Sequence, residues 1–258
     1  LMEKAGLEMP EAPTWQFIRK AAAAMTDRDI ECAKWAASVQ ADYVSLSFVR
    51  SATEIKQLKS LLKEHGSDAP VVAKIEKPEA MSNLESIVKA TDAVMVARGD
   101  LGVEIDIAKV PVAQKRIIST CNRLQRPVIV ATQMLDSMHH ASRPTRAEVT
   151  DIANAILDGA DACMLSGETA IGDHPVLVVE TMNRVMLETE ELLPDQPHRV
   201  PQHDAHSVTL PITRSVVYGA AKIAEHLAAA MVVVATRSGA TALTKSNRRD
   251  FIPTIAVS

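Results

Sequence analysis

The residues best able to do chemistry lie in Val71-Val72-Ala73-Lys74-Ile75-Glu76-Lys77-Pro78. In an extended chain side chains alternate, so Lys74 and Glu76 share one face and Ala73 and Ile75 share the other. A lysine and a carboxylate at the end of an apolar run are costly to bury unless they pair or bind a metal. A structural ion pair and a catalytic pair both fit this segment taken alone. A second carboxylate, Asp100, ends the next stretch, Ala93-Val94-Met95-Val96-Ala97-Arg98-Gly99-Asp100. Two carboxylates at neighbouring strand ends suit a hard divalent cation that keeps positions open for substrate oxygens. Gly99 and Gly102 let backbone approach a ligand closely, and amides there can hold an anion if a short helix begins. Thr132 follows a third apolar run, Val128–Ala131. Its hydroxyl can face the centre of a sheet or cap a helix. Arg98-Gly99-Asp100 follows a buried strand, which sets aside an adhesion motif.

Five apolar runs rich in β-branched residues recur along the chain: Asp42–Val49, Val71–Ile75, Ala93–Ala97, Val128–Ala131 and Ala162–Leu165. Such runs read as strands buried on both faces. Helical patterns fill the gaps. Ser51 and Glu54 make a capping box before Ile55, Leu58, Leu61 and Leu62, and Gly66 is a stop signal. Leu84, Ile87 and Val88 form the next stripe. Pro111 suits a helix start before Ile117, Ile118, Cys121 and Leu124. Arg143–Val149 opens a helix whose stripe is Val149, Ile152, Ile156 and Leu157, ended by Gly159. A last helix runs from Pro175 to about Glu191.

Alternating strand and helix means a parallel α/β sheet, doubly wound or closed into a barrel. Periodicity does not choose between them, but the location of the polar residues helps. Each strand ends in a polar cluster: Ser47 and Arg50, Lys74 and Glu76, Arg98 and Asp100, Thr132 and Gln133, Ser166 and Glu168. A ring of this kind belongs to a barrel. Leu192–Ser207, with three prolines and three histidines, reads as a linker of solvated side chains. Beyond it, Thr209–Leu227 reads as a helix, Met231–Ala235 as a strand, Gly239–Asn247 as a helix and Pro253–Ser258 as a strand, the start of a second α/β domain. Residues 1–25 show no strand, with a helix possible over Phe17–Met25.

The chain has 258 residues and a net charge of −4, with both signs interspersed, which argues against nucleic-acid or membrane partners. Aromatics make up only 3%, so the core rests on aliphatic residues. Cys32, Cys121 and Cys163 are far apart and odd in number, and read as small core residues of a reducing compartment. No run is long enough to span a membrane, no signal peptide is evident, and the cytoplasm is the default location.

The segment Ala73-Lys74-Ile75-Glu76 resembles the active-site signature of pyruvate kinases. Met95–Glu104, Ala131–Leu135, Arg143–Val149 and Met164–Ala170 are similar to further blocks of that family, in the same order. The resemblance covers 26–193 strongly and 207–258 more weakly. It implies a TIM-type (β/α)8 barrel with a small β lid and a C-terminal α/β domain. About five βα units are present, which would be the fourth to eighth, so the chain reads as a fragment. The division expected is an unassigned segment 1–25, the second half of the barrel at 26–193, a linker at 194–207 and the start of the second domain at 208–258.

By the same resemblance the reaction moves the phosphoryl group of phosphoenolpyruvate to ADP, giving pyruvate and ATP. Glu76 and Asp100 resemble ligands of Mg2+ or Mn2+. Lys74 resembles the cation beside the transferring phosphoryl group. The Gly99 and Asp100 amides resemble holders of the substrate carboxylate, and Thr132 the hydroxyl beside the enolate carbon. Ser166 and Glu168 lie near the site without a definite role, and Arg98 reads as structural. A K+ ion is expected in the full-length family enzyme, with its site outside this chain, and the implied assembly is a tetramer. Three rivals are a metal-dependent aldolase holding a pyruvate enolate, a Schiff-base aldolase using Lys74, and a non-catalytic fragment or paralogue.

Overall fold

The computed structural model describes residues 25–193, 209–246 and 252–258. The expected linker and residues 1–24 lie outside the described residues. Helix α1 (Asp27–Ser38) opens on a capping box between Thr26 and Asp29. Strand β1 (Val44–Leu46) and helix α2 (Ala52–Glu64) follow. The Glu54 carboxylate accepts from the Ser51 amide at 3.1 Å, closing the box before α2, and Gly66 adopts φ +77° just past its end. Strand β2 (Val71–Ile75) leads into two short helices, α3 (Pro78–Ser82) and α4 (Leu84–Ala90), divided at Asn83. Then come β3 (Ala93–Ala97), α5 (Arg98–Glu104) and α6 (Val110–Arg123). Strand β4 (Val128–Ala131), helix α7 (Arg146–Asp158), β5 (Ala162–Met164), α8 (Gly167–Ala170) and α9 (Pro175–Glu190) complete the set.

The five strands form one parallel sheet in chain order, β1-β2-β3-β4-β5. Its two faces differ. Ala73, Ile75, Val94, Val96, Val128 and Val130 join the main core with residues from the helices, including Ile55, Leu58, Leu62, Ile117, Ile118 and Ile152. The other face carries a small cluster made only of strand residues: Val72, Ala93, Met95 and Ala131, with Ile129 and Met164. A doubly wound sheet needs helices on both faces. Helices on one face and strand side chains alone on the other make the layering of a barrel wall and its interior.

Aspartates tie neighbouring strands together at their starts. Asp92, just before β3, accepts from the Val71 amide that begins β2, at 2.8 Å. Asp161, just before β5, accepts from the Val128 amide that begins β4, also at 2.8 Å. At the β3–β4 seam a main-chain bond stands instead, from Val94 N–H to the Pro127 carbonyl at 2.9 Å.

Several expectations need correction. The first strand is three residues long, not eight, because Phe48 turns out of extended geometry with φ +55°. Leu157 is 38% exposed and Ala155 takes its place in the buried stripe of α7. Cys32 is exposed on α1, so only Cys121 of the three thiols is fully buried. Beyond the linker, α10 (Pro211–His226), β6 (Val232–Ala235), α11 (Ala240–Ser246) and β7 (Thr254–Val257) match the anticipated pattern, with the first helix starting two residues late at Pro211. Strands β6 and β7 pair in parallel.

Candidate active site

Lys74 and Glu76 lie on the same face at the end of β2, as alternation requires. The Lys74 ammonium is 2.7 Å from Glu76 Oε1 and 3.1 Å from the Ser47 hydroxyl of the adjacent strand end. The Glu76 carboxylate is wholly buried. Its Oε2 accepts from the Phe48 amide at 2.5 Å. Its Oε1 touches the lysine charge but has no donor in hydrogen-bonding geometry. The lysine thus supplies the countercharge that a buried carboxylate needs.

The next strand end is built differently from expectation. Strand β3 stops at Ala97, and Arg98, Gly99 and Asp100 are the first residues of α5. A helix start leaves amides without partners. The Gly99 amide finds one in the Thr132 hydroxyl, at 2.8 Å, and that hydroxyl donates to the Ala131 carbonyl at 2.6 Å. Thr132 therefore caps a helix at the strand ends. A Cβ added to Gly99 would meet Thr132 Oγ1 at 3.4 Å, an ordinary van der Waals contact.

Thr132 and Gln133 have φ of +71° and +52°. Two successive non-glycine residues in the left-handed region are strained, most of all the β-branched threonine. Arg98 holds them: its guanidinium donates to the Thr132 carbonyl at 2.6 Å and the Gln133 carbonyl at 3.1 Å, and pairs with Asp151. Arg98 is buried, and these contacts support the structural role anticipated for it.

At the β5 end the buried Glu168 accepts from the amides of Leu135 (3.2 Å) and Ser166 (2.7 Å). Burial pushes its carboxyl up, but the Ser166, Glu168 and Leu135 amides outweigh it and hold the group below the usual carboxylate range. It fastens loops and offers no free oxygen to a substrate.

Two contributors escaped the sequence reading. Phe48 donates its backbone amide to Glu76. Lys77 turns away from Glu76, lies 2.7 Å from Glu104 at the end of α5, and sits 5.2 Å from the Phe48 ring centroid. No sequence pattern announces a phenylalanine with positive φ.

The donor set suits a hard cation. Glu76 Oε1 is buried beside the Lys74 ammonium. Asp100 is exposed in the first turn of α5, and β2 and β3 pair in parallel up to Ile75 and Val96. Among the described residues no group of three or more His, Cys, Asp and Glu could hold a metal by itself. A site built on these two carboxylates therefore takes its remaining oxygens from water or substrate, the usual arrangement for Mg2+.

A family profile described as "Pyruvate kinase, barrel domain" matches residues 15–179, more than half of the chain. The chain belongs to the pyruvate kinase family. Relatives named pyruvate kinase include those of Corynebacterium efficiens, 47% identical over 89% of this chain and 47% of theirs, and Mycobacterium tuberculosis, 46% identical over 91% of this chain and 48% of theirs. The pyruvate kinase of Thermotoga maritima is 42% identical over 90% of this chain and 49% of its own. The chain thus spans about half the length of the curated pyruvate kinases it matches. Family membership accounts for the one-sided helix layer and the polar strand ends, with five strands of an eight-stranded barrel in one sheet. No helix among the described residues is long and apolar enough to cross a membrane.

Proposed function

We propose that these residues form the metal- and phosphoryl-binding half of a pyruvate kinase site, which moves the phosphoryl group of phosphoenolpyruvate to ADP. The observation that carries this reading is the buried Glu76 carboxylate, 2.7 Å from the Lys74 ammonium at a strand end. Glu76 and Asp100 would hold Mg2+ or Mn2+. Such an ion supplies charge stabilisation for the enolate and phosphoryl oxygens.

Lys74 contributes a cation where negative charge gathers as the phosphorus–oxygen bond to the enol breaks and the bond to an ADP oxygen forms. Chemistry of this type rests on positioning and electrostatics. The Thr132 hydroxyl, held by Gly99 and Ala131, would pass a proton toward the enolate carbon. The Gly99 and Asp100 amides would hold the substrate carboxylate. The likeness to pyruvate kinases supports this phosphotransfer over either aldolase reading. A cytoplasmic location, a homotetramer and K+ dependence of the full-length enzyme belong to the same proposal.

Titration of the chain with Mn2+, followed by electron paramagnetic resonance of the free ion, tests the metal site. One tight site is expected, weakened by both Glu76→Gln and Asp100→Asn. Undiminished binding in both variants would sink the assignment.

A further inference from the structure

We infer that Lys77, through Glu104 and Phe48, is a positioning residue that sets the two proposed metal-binding carboxylates relative to each other; this rests on the metal site proposed above. Three contacts meet at its ammonium or one step away. The ammonium pairs with Glu104 at 2.7 Å, and both side chains are largely shielded, at 20% and 16% exposure. It lies over the Phe48 ring at 5.2 Å. The Phe48 amide in turn donates to Glu76 Oε2 at 2.5 Å.

Each contact constrains one carboxylate. Phe48 holds φ +55°, a conformation a bulky side chain adopts only when its surroundings impose it. That conformation aims its amide at Glu76, and the cation above the ring fixes the ring's place. Glu104 is the last residue of α5, the seven-residue helix whose first turn carries Asp100. A helix this short moves as one piece, so anchoring its last residue to Lys77 anchors Asp100 as well. Lys77 itself directly follows Glu76. One ammonium therefore links β2, the β1 end and α5, the three elements that bear or orient the proposed ligands.

The sign of the effect separates this role from simple electrostatics. Lys77 is a cation close to a proposed cation site. By Coulomb's law alone its removal should tighten divalent-ion binding. If Lys77 positions the carboxylates, its removal weakens binding, since outer partners of metal ligands typically carry about 10-fold to 100-fold in affinity.

The test measures Mn2+ affinity by electron paramagnetic resonance on the chain and on Lys77→Met, Lys77→Arg, Glu104→Gln and Glu76→Gln, with metal-free melting curves for each. The expected result is a dissociation constant raised about 10-fold in Lys77→Met and largely restored in Lys77→Arg, which keeps the cation for both Glu104 and Phe48. Glu104→Gln should weaken binding too, and adding it to Lys77→Met should cost little more. Equal or tighter binding in Lys77→Met, with Glu76→Gln impaired, overturns the positioning role and leaves the metal site standing. Unimpaired binding in Glu76→Gln removes both. If Lys77→Met does not fold, the comparison of Lys77→Arg and Glu104→Gln decides: binding unchanged by Glu104→Gln overturns the inference.

Discussion

Replacing Lys74 by methionine keeps the side chain's length and removes its charge. The ammonium sits 2.7 Å from Glu76 Oε1. At an effective dielectric constant of about 20 the attraction at that distance is about 6 kcal/mol, before the cost of desolvating both ions. Removing one partner of a buried pair costs about 3–5 kcal/mol, mostly because the other charge is stranded. The lysine side chain is 25% exposed while that of Glu76 is 1% exposed, which favours the low end, about 3 kcal/mol. For a chain of this size about 3 kcal/mol lowers Tm by about 6–12 °C. Differential scanning calorimetry in a chelator reads this directly. Mn2+ at about one hundred times its Kd should return about 2.7 kcal/mol, because it supplies Glu76 with the positive charge the lysine gave. In a full-length family member carrying this segment, the same change should cut kcat about 100-fold to 1000-fold, read by a lactate-dehydrogenase-coupled assay per folded molecule. An unchanged Tm would refute the pairing as an energetic fact. A lowered Tm with normal kcat would refute the catalytic part and leave an ion pair.

Burial pushes the Cys163 thiol up to about 11 and pushes that of Cys121 up further, while Cys32 is exposed. A thiol-specific disulfide reagent at pH 8 should therefore label one cysteine quickly, lost in Cys32→Ser, and the other two only on unfolding; rapid labelling of all three would contradict the packing. Burial pushes the Glu148 carboxyl up, but donors on Ser137 and Thr145 outweigh it and hold it below its ordinary 4.5. A depressed carboxylate adds stability above its unfolded pKa and loses it as pH falls through the folded value, so Glu148→Gln should destabilise the chain at pH 7 and flatten its loss of stability below about pH 4.5. Parallel Tm–pH curves for the two chains would refute this.

What the sequence made legible is what local rules control. The Ser51–Glu54 box, the Gly159 stop and the shared face of Lys74 and Glu76 follow from capping chemistry and from a period of two. The Gly159 stop takes φ +96°, as a left-handed cap does. The misses all depend on distant partners. Asp100 was placed at a strand end, yet a helix begins two residues before it, where the Thr132 hydroxyl supplies the acceptor that a lone Gly99 amide needs. Thr132 and Gln133 could not be foreseen in left-handed geometry, since Arg98 holds them there from the start of α5. Leu157 has the right spacing for the buried face, but α7 turns Ala155 and Ile156 inward instead. The choice of barrel over doubly wound sheet was only partly legible, because helical stripes reveal that a sheet is covered and not on which side.

The aspartates at the strand starts have a consequence for how such a wall can be cut and rejoined. Asp92 locks the β3 unit to β2, and Asp161 locks the β5 unit to β4, whereas at the start of the β3–β4 seam, as of the β1–β2 seam, a main-chain bond stands in that place. Across the β3–β4 seam the units meet through main chain at the strand starts and through the Arg98 and Thr132 contacts at the strand ends. A split placed in the turn of Leu124, Gln125, Arg126 and Pro127 keeps both side-chain keys intact, and a split before β3 or before β5 severs one. Two-piece complementation, circular permutation and the exchange of βα units between relatives all have their natural joint at that turn.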